Sequence, residues 1–376
     1  MTNKDVSENN DNEAKRNGLL DGRQWLLPQA SEGLERALNS GTVFVDSSVL
    51  CDLYRYGPEA RESLFLVLES LSDRLLIPSQ VAIEFLSNRE NVITGRQREL
   101  KNMLSTALPD PSEQSLNEWM NRANVQGELR AELNGILSEA RHKMNALRSD
   151  LGEAIQNEEE ASDSNDGNVL SRLIALLEAK VMMSPPVDSL EELYKEGHDR
   201  IICGRPPGAG DRRKAEKLAG QSARLENGDY LIFAEILSEP PNGEPSVLIT
   251  SDMKRVNDWV DPDRKQQGKF THAHPLLRKE HYEGRGTDFF AIAPAHLLEL
   301  APQLGVPVCD GVSDSVAQLA NQDRERANST SRLNEAAKAA GLGGSAQIAA
   351  FNEAAKAVGF HATRAAEIRA MLHGFG

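Results

Sequence analysis

Two short runs constrain what this chain can fold into more than any other feature. Thr42-Val43-Phe44-Val45 stops abruptly at Asp46-Ser47-Ser48, and Val247-Leu248-Ile249-Thr250 stops at Ser251-Asp252. Their β-branched and aromatic content suits strands buried on both faces, the kind a helix-flanked parallel sheet contains. Beyond Asp46 the apolar residues recur at Val49, Leu50, Leu53 and Tyr54, a helical spacing. An acid at the carboxyl end of a buried strand, just before a helix, stands where open α/β sheets hold ligands. The fold class expected is α/β, a mostly parallel sheet flanked by helices, with Asp46 and Asp252 on the same sheet edge.

The rest of the chain supplies more elements of that kind, and two departures from it. Residues 1–18 lack the apolar content to fold and are expected to be disordered. A helix is expected over 19–38, another from Pro58, a short strand at Leu75-Leu76-Ile77, and a helix from Ser79 that carries Glu84 between Val81 and Phe85. Ser189 with Glu192 reads as a capping box, Gly228-Asp229 opens a further helix, Phe289–Ala293 reads as a strand, and Pro294 starts the helix after it. The first departure is an insertion, about 98–200, that is strongly helical. Val125, Leu129, Leu133, Ile136, Ala140, Met144, Leu147 and Leu151 form a coiled-coil-like stripe, and the acidic stretch 157–168 reads as the tip of a helical hairpin. The second is a small helical appendage, 311–376, with two near copies, Leu333-N-E-A-A-K-A-A-Gly341 and Phe351-N-E-A-A-K-A-V-Gly359.

Composition narrows the function classes. A net charge of -15 argues against nucleic-acid binding by the surface as a whole, so any phosphate contact is local or helped by cations. The one basic cluster follows a rigid turn, Arg205-Pro206-Pro207-Gly208, and comprises Arg212, Arg213 and Lys214; Lys254 lies just beyond Asp252. Three cysteines without a C-x-x-C pair exclude a disulfide framework and a zinc ribbon, and fit a reducing compartment. His272, His274 and His281 lack the spacing of a zinc site, and Cys51 lies within an apolar run as a core thiol does. A polar amino terminus and the lack of any apolar run long enough to span a bilayer point to a cytoplasmic protein.

Asp46, Glu84, Asp229 and Asp252 each stand at a strand end or in the first turns of a helix, and the expectation is that they meet in one crevice. At an effective dielectric of about 20, two like charges ~4 Å apart repel by roughly 4 kcal/mol, so such a cluster needs compensation. An oxygen-only set selects Mg2+ or Mn2+, and the chemistry open to paired hard cations is hydrolysis of a phosphodiester.

The ordered series F-V-D-S-S-V-L-C-D-L-Y-R-Y, L-L-I-P-S-Q-V-A-I-E-F-L-S-N-R, R-P-P-G-A-G-D-R-R-K, N-G-D-Y-L-I-F and V-L-I-T-S-D-M-K resembles the PIN-like nuclease domain family. The resemblance is to the bacterial subgroup with a long helical insertion, and it covers roughly 41–303 of a domain placed at 19–310. It implies a Rossmann-like sheet and metal-dependent endonuclease activity on nucleic acid, more often RNA than DNA, in toxin or anti-phage settings. It also implies metal-holding and catalytic roles for Asp46, Glu84, Asp229 and Asp252. Ser47, Ser48 and Ser251 would orient those acids. By its charge alone, the basic run reads either as a solvated patch or as a phosphate-contacting loop, in which Arg205, Arg212, Arg213, Lys214 and Lys254 would contact the substrate. Ser48 stands where family members often carry asparagine, which removes an amide that would orient Asp46, while Asp52 is expected to face away from the acids. A protein partner or a second copy of the chain would dock on the insertion or the appendage. The rival readings are a PIN-like binding or scaffold subunit with little activity and a DNA nuclease of the same fold. A haloacid-dehalogenase-like phosphohydrolase needs a second aspartate where this chain has Ser48.

Overall fold

The computed structural model describes residues 18–107, 113–209, 227–252, 259–260 and 272–339. Arg212, Arg213, Lys214, Lys254 and the second repeat copy lie outside them, as do residues 1–17.

Four strands, β1 (Thr42–Val45), β2 (Leu75–Leu76), β3 (Ser246–Ile249) and β4 (Phe289–Ile292), form a parallel sheet in the order β2-β1-β3-β4. From β1 the chain passes to one side and from β3 to the other, so the winding reverses between these two neighbours. In open α/β sheets the crevice beyond the carboxyl ends of such a pair is where ligands bind. The Asp46 amide donates to the Ile249 carbonyl at 2.9 Å, which sets the register at that end.

Two compact units divide the chain. The first comprises Met1–Phe44, Ser184–Leu248 and Arg255–Ile292. Its core is aromatic: the Phe233 ring meets Trp259 at 6.3 Å and Phe289 at 5.7 Å, both edge-on, an arrangement that aromatic quadrupoles favour. The helix expected over 19–38 is broken. A single 3-10 turn, Gln24–Leu26, gives way to extended Leu27 before Pro28, and only then does α1 (Ser31–Ser40) begin. Proline disfavours helical backbone in the residue before it, and the apolar spacing alone did not reveal that break. Gly41 has no substitute, because a Cβ there would lie 1.9 Å from the Pro245 carbonyl oxygen. Helix α7 (Val187–Cys203) starts before Ser189, with Pro186 at the cap position, so the expected capping box is not made. Helices α8 (Gly228–Ser238) and α9 (Pro275–Arg285) complete this unit.

The second unit comprises Val45–Met183, Ile249–Lys254 and Ala293–Gly376. Helix α2 (Ser47–Asp52) follows β1 at once, and α3 (Pro58–Ser70) opens on its proline. Helices α4 (Ser79–Ala107) and α6 (Gly127–Leu177) are the arms of the inserted hairpin, with α5 (Glu113–Arg122) at its turn. The hairpin closes at its base, where the Ile77 amide donates to Lys180 and the Met182 amide to Ile77. Its turn is therefore not at 157–168, as the acidic stretch had suggested, since α6 runs unbroken for 51 residues. Glutamate and alanine are strong helix formers, and one glycine costs only about 1 kcal/mol in a helix interior. Val169, Leu173 and Leu176 bury the carboxyl end of α6, whereas Leu129 and Ile136 of the stripe are 54% and 58% exposed. Helices α10 (Pro294–Leu300) and α11 (Val312–Ala339) end the described chain, and α11 includes the start of the first repeat copy.

Candidate active site

At the β1 and β3 ends the second unit gathers carboxylates and hydroxyls. Asp46 is buried at the cap position of α2, where its backbone is still extended, so its side chain projects from the strand end. Three hydroxyls surround it. Ser48 Oγ donates to Asp46 Oδ2 at 2.5 Å, Thr250 Oγ1 donates to the same oxygen at 2.7 Å, and Ser47 Oγ lies 3.3 Å from Oδ1. Ser48 thus holds Asp46 with its hydroxyl, without the amide it lacks.

Ser47 also links Asp46 to Glu84, since its Oγ is 3.0 Å from Glu84 Oε2. Gln80, one helical turn earlier on α4, donates to Glu84 Oε1 at 2.8 Å and sets the rotamer of that carboxylate. Asp252 follows β3 by a tight turn in which its own amide donates to Thr250 Oγ1 at 3.0 Å. The Ser251 amide donates to Ser48 Oγ at 3.0 Å. Asp46, Glu84 and the Asp252 backbone are therefore joined through three hydroxyl residues within one unit.

Asp229 belongs to the other unit, in the first turn of α8. A Cβ on Gly208, whose φ is +85°, would sit 3.8 Å from Asp229 Cβ, so Gly208 lies close beside it. Buried Arg200 holds that turn by donating to the Pro206 carbonyl and to Glu280 at 2.9 Å, and half-exposed Arg205 shares Glu280 at 2.8 Å.

Two residues that carry the local order drew no role from the sequence. Asp52, expected to face away, is buried and accepts from Ser251 Oγ at 2.5 Å. Burial pushes its carboxyl above the ordinary value, against the pull of Ser251 and Arg55. Thr250 passed as the last residue of an apolar strand, yet its hydroxyl serves both Asp46 and Asp252. Cys51, the neighbour of Asp52, is a free thiol pushed up to about 12, first by burial and then by Asp52 and Asp46. The histidines have structural work: His272 accepts from the Gln29 amide, His274 caps α9 through the Leu276 amide, and His281 contacts the Thr287 carbonyl.

The fit to a hard cation rests on the donor set and on an electrostatic imbalance. All the donors are oxygens, and among the described residues buried Asp46 forms no ion pair. Hydroxyls orient the carboxylate but carry no positive charge, so a hard divalent cation is the group that would neutralise it. Among the described residues no three acids, histidines or cysteines stand close enough to form a ready-made metal cluster. No helix among them is long and apolar enough to cross a membrane.

Comparison with known families matches residues 42–274 to a PIN like domain, which takes in β1, α2, the whole insertion, α8 and β3. Comparison with curated proteins and with solved structures gave no match.

Proposed function

The chain belongs to the PIN-like domain family, whose members are in general nucleases, and from that premise we propose that it is a metal-dependent endonuclease acting on RNA. The observation that carries the reading is the Asp46 site. It holds a buried carboxylate with no ion pair among the described residues, aimed by three hydroxyls and joined to Glu84 through one of them. Asp46, Glu84 and Asp252 would hold Mg2+ or Mn2+. A bound divalent cation supplies an acidified water and neutralises charge at the scissile phosphate. The residues of the chain do the positioning: Ser48 and Thr250 fix one oxygen of Asp46, Ser47 and Gln80 fix Glu84, and the Thr250 hydroxyl holds the Asp252 amide. Arg205, together with Arg212, Arg213, Lys214 and Lys254, would receive the phosphate backbone that the overall negative charge repels.

RNA is preferred over DNA on the family resemblance, which also favours a toxin or anti-phage role in the cytoplasm. The exposed apolar stripe on α6 supports a protein partner or a second copy of the chain at the insertion.

The test is incubation of the purified protein with labelled RNA and labelled DNA, in Mn2+, Mg2+ or chelator, beside Asp46→Asn. The expected outcome is cation-dependent cleavage of RNA, abolished by chelator and reduced by roughly 100-fold or more in the variant. Equal binding by both proteins without cleavage would favour a scaffold subunit, and cleavage of DNA alone would change the substrate.

A further inference from the structure

The Thr250-Ser251-Asp252 turn is pinned on two sides. One side belongs to the site already described, through Thr250 to Asp46 and Ser48 to the Ser251 amide. The other side is Asp52, which accepts from Ser251 Oγ at 2.5 Å. Asp52 is the last residue of α2 and is 6% exposed. Its second oxygen takes Arg55 Nη1 at 3.0 Å, and Tyr56 Oη lies 3.4 Å from the first. The other arm of that guanidinium, Nη2, reaches Asp323 on α11 at 2.6 Å. A helix beyond the family match is thereby linked, through three side chains, to the residue beside Asp252.

We propose that Asp52 is a positioning residue for Asp252, and that α11 sets its orientation through Asp323 and Arg55. A planar guanidinium that donates to two carboxylates at once fixes both, because its fork cannot rotate to follow either alone. With Arg55 held from α11, Asp52 presents one oxygen to Ser251 in a single orientation, and the turn that carries Asp252 cannot roll away from Asp46. The first part of the appendage is then a component of the site.

The inference rests on the nuclease reading of the Asp46 site, and its test keeps the two apart. Full-length wild type, Asp52→Asn, Asp323→Asn and Asp323→Glu are compared by calorimetric titration with Mn2+, without nucleic acid, and by hydrogen exchange at the Ser251 and Asp252 amides. Cleavage kinetics are measured in parallel. Asp52→Asn is expected to weaken Mn2+ binding by about 10- to 100-fold, the range for a lost outer hydrogen-bond partner. It should also lower kcat with KM little changed and speed exchange at both amides. Asp323→Asn should act in the same direction by a few-fold, and Asp323→Glu should restore most of the loss. Unchanged Mn2+ affinity and unchanged exchange in both Asn variants would overturn the proposal and leave the nuclease reading intact. If wild type neither binds Mn2+ nor cleaves, the nuclease reading falls and exchange decides: protection lost in both Asn variants upholds the pinning, and protection kept overturns it. If Asp52→Asn fails to fold, Asp323→Asn and Ser251→Ala carry the same comparison.

Discussion

The two ends of α2 carry buried aspartates in opposite electrostatic situations. Asp46, at the amino end, is met by the hydroxyls of Ser47, Ser48 and Thr250. Asp52, at the carboxyl end, is met by Arg55, which it shares with Asp323. Both are shielded from water, but among the described residues only Asp52 has a cation beside it, and even so burial raises its carboxyl above the ordinary value. The difference separates roles: a carboxylate whose charge is answered internally holds structure, and one aimed by neutral donors is set to receive something from outside.

The most severe way to break this comparison is to remove the internal cation. Arg55→Met leaves Asp52 and Asp323 facing each other uncompensated, and denaturant unfolding should show a loss of about 3 kcal/mol, the lower end for a broken buried pair because Arg55 is partly exposed. A loss under half a kcal/mol would mean that Asp52 is not held as described.

A third buried group, His281 in the other unit, tests whether burial alone produces such costs. It is fully buried and its pKa is lowered to about 4 from 6.5, chiefly by desolvation. As pH falls the unfolded state takes the proton first, so this contribution is intact above 6.5 and is lost progressively toward about 4. Across that window it amounts to roughly 3 kcal/mol at most. Wild type should therefore lose more stability than His281→Leu between these pH values, and parallel curves would refute the assignment.

At the other end of α2 the sign reverses. Asp46→Asn removes a buried charge that no ion pair answers among the described residues, so in chelator it should raise stability by about 1 kcal/mol rather than lower it. Added Mn2+ should then raise the melting temperature of wild type and leave the variant unmoved, since only a ligand that binds the native state stabilises it. A drop in stability in chelator would show that the hydroxyls suffice for the charge.

The smallest effect is read at Cys51, which feels both aspartates, Asp52 more than Asp46. With its thiol pushed up to about 12, it should alkylate far more slowly at pH 8 than exposed Cys203 and Cys309. Asp52→Asn should speed its reaction by a few-fold and Asp46→Asn by less, as mass spectrometry of the modified peptides would show. The reverse order would place Cys51 nearer to Asp46.

What the sequence determined by itself was local. Strand runs ending in acids, the proline-opened helices at Pro58 and Pro294, Glu84 on α4, and the helical character of the insertion all follow from spacing within a few residues. The order of the motifs was enough to identify the family. The hairpin turn and the start of α1 were misjudged for the same local reason, because a polar stretch inside a long helix and a proline inside an apolar pattern each weaken a periodicity signal without deciding it. Only the tertiary structure decided which side chains meet. Thr250 reaches Asp46 across 204 positions, Ser251 reaches Asp52 across 199, and Arg55 reaches Asp323 across 268. Such contacts arise when parallel strands lie side by side and a late helix packs on an early one. A hydroxyl or carboxylate carries no local signal of which distant partner the fold will bring within 3 Å.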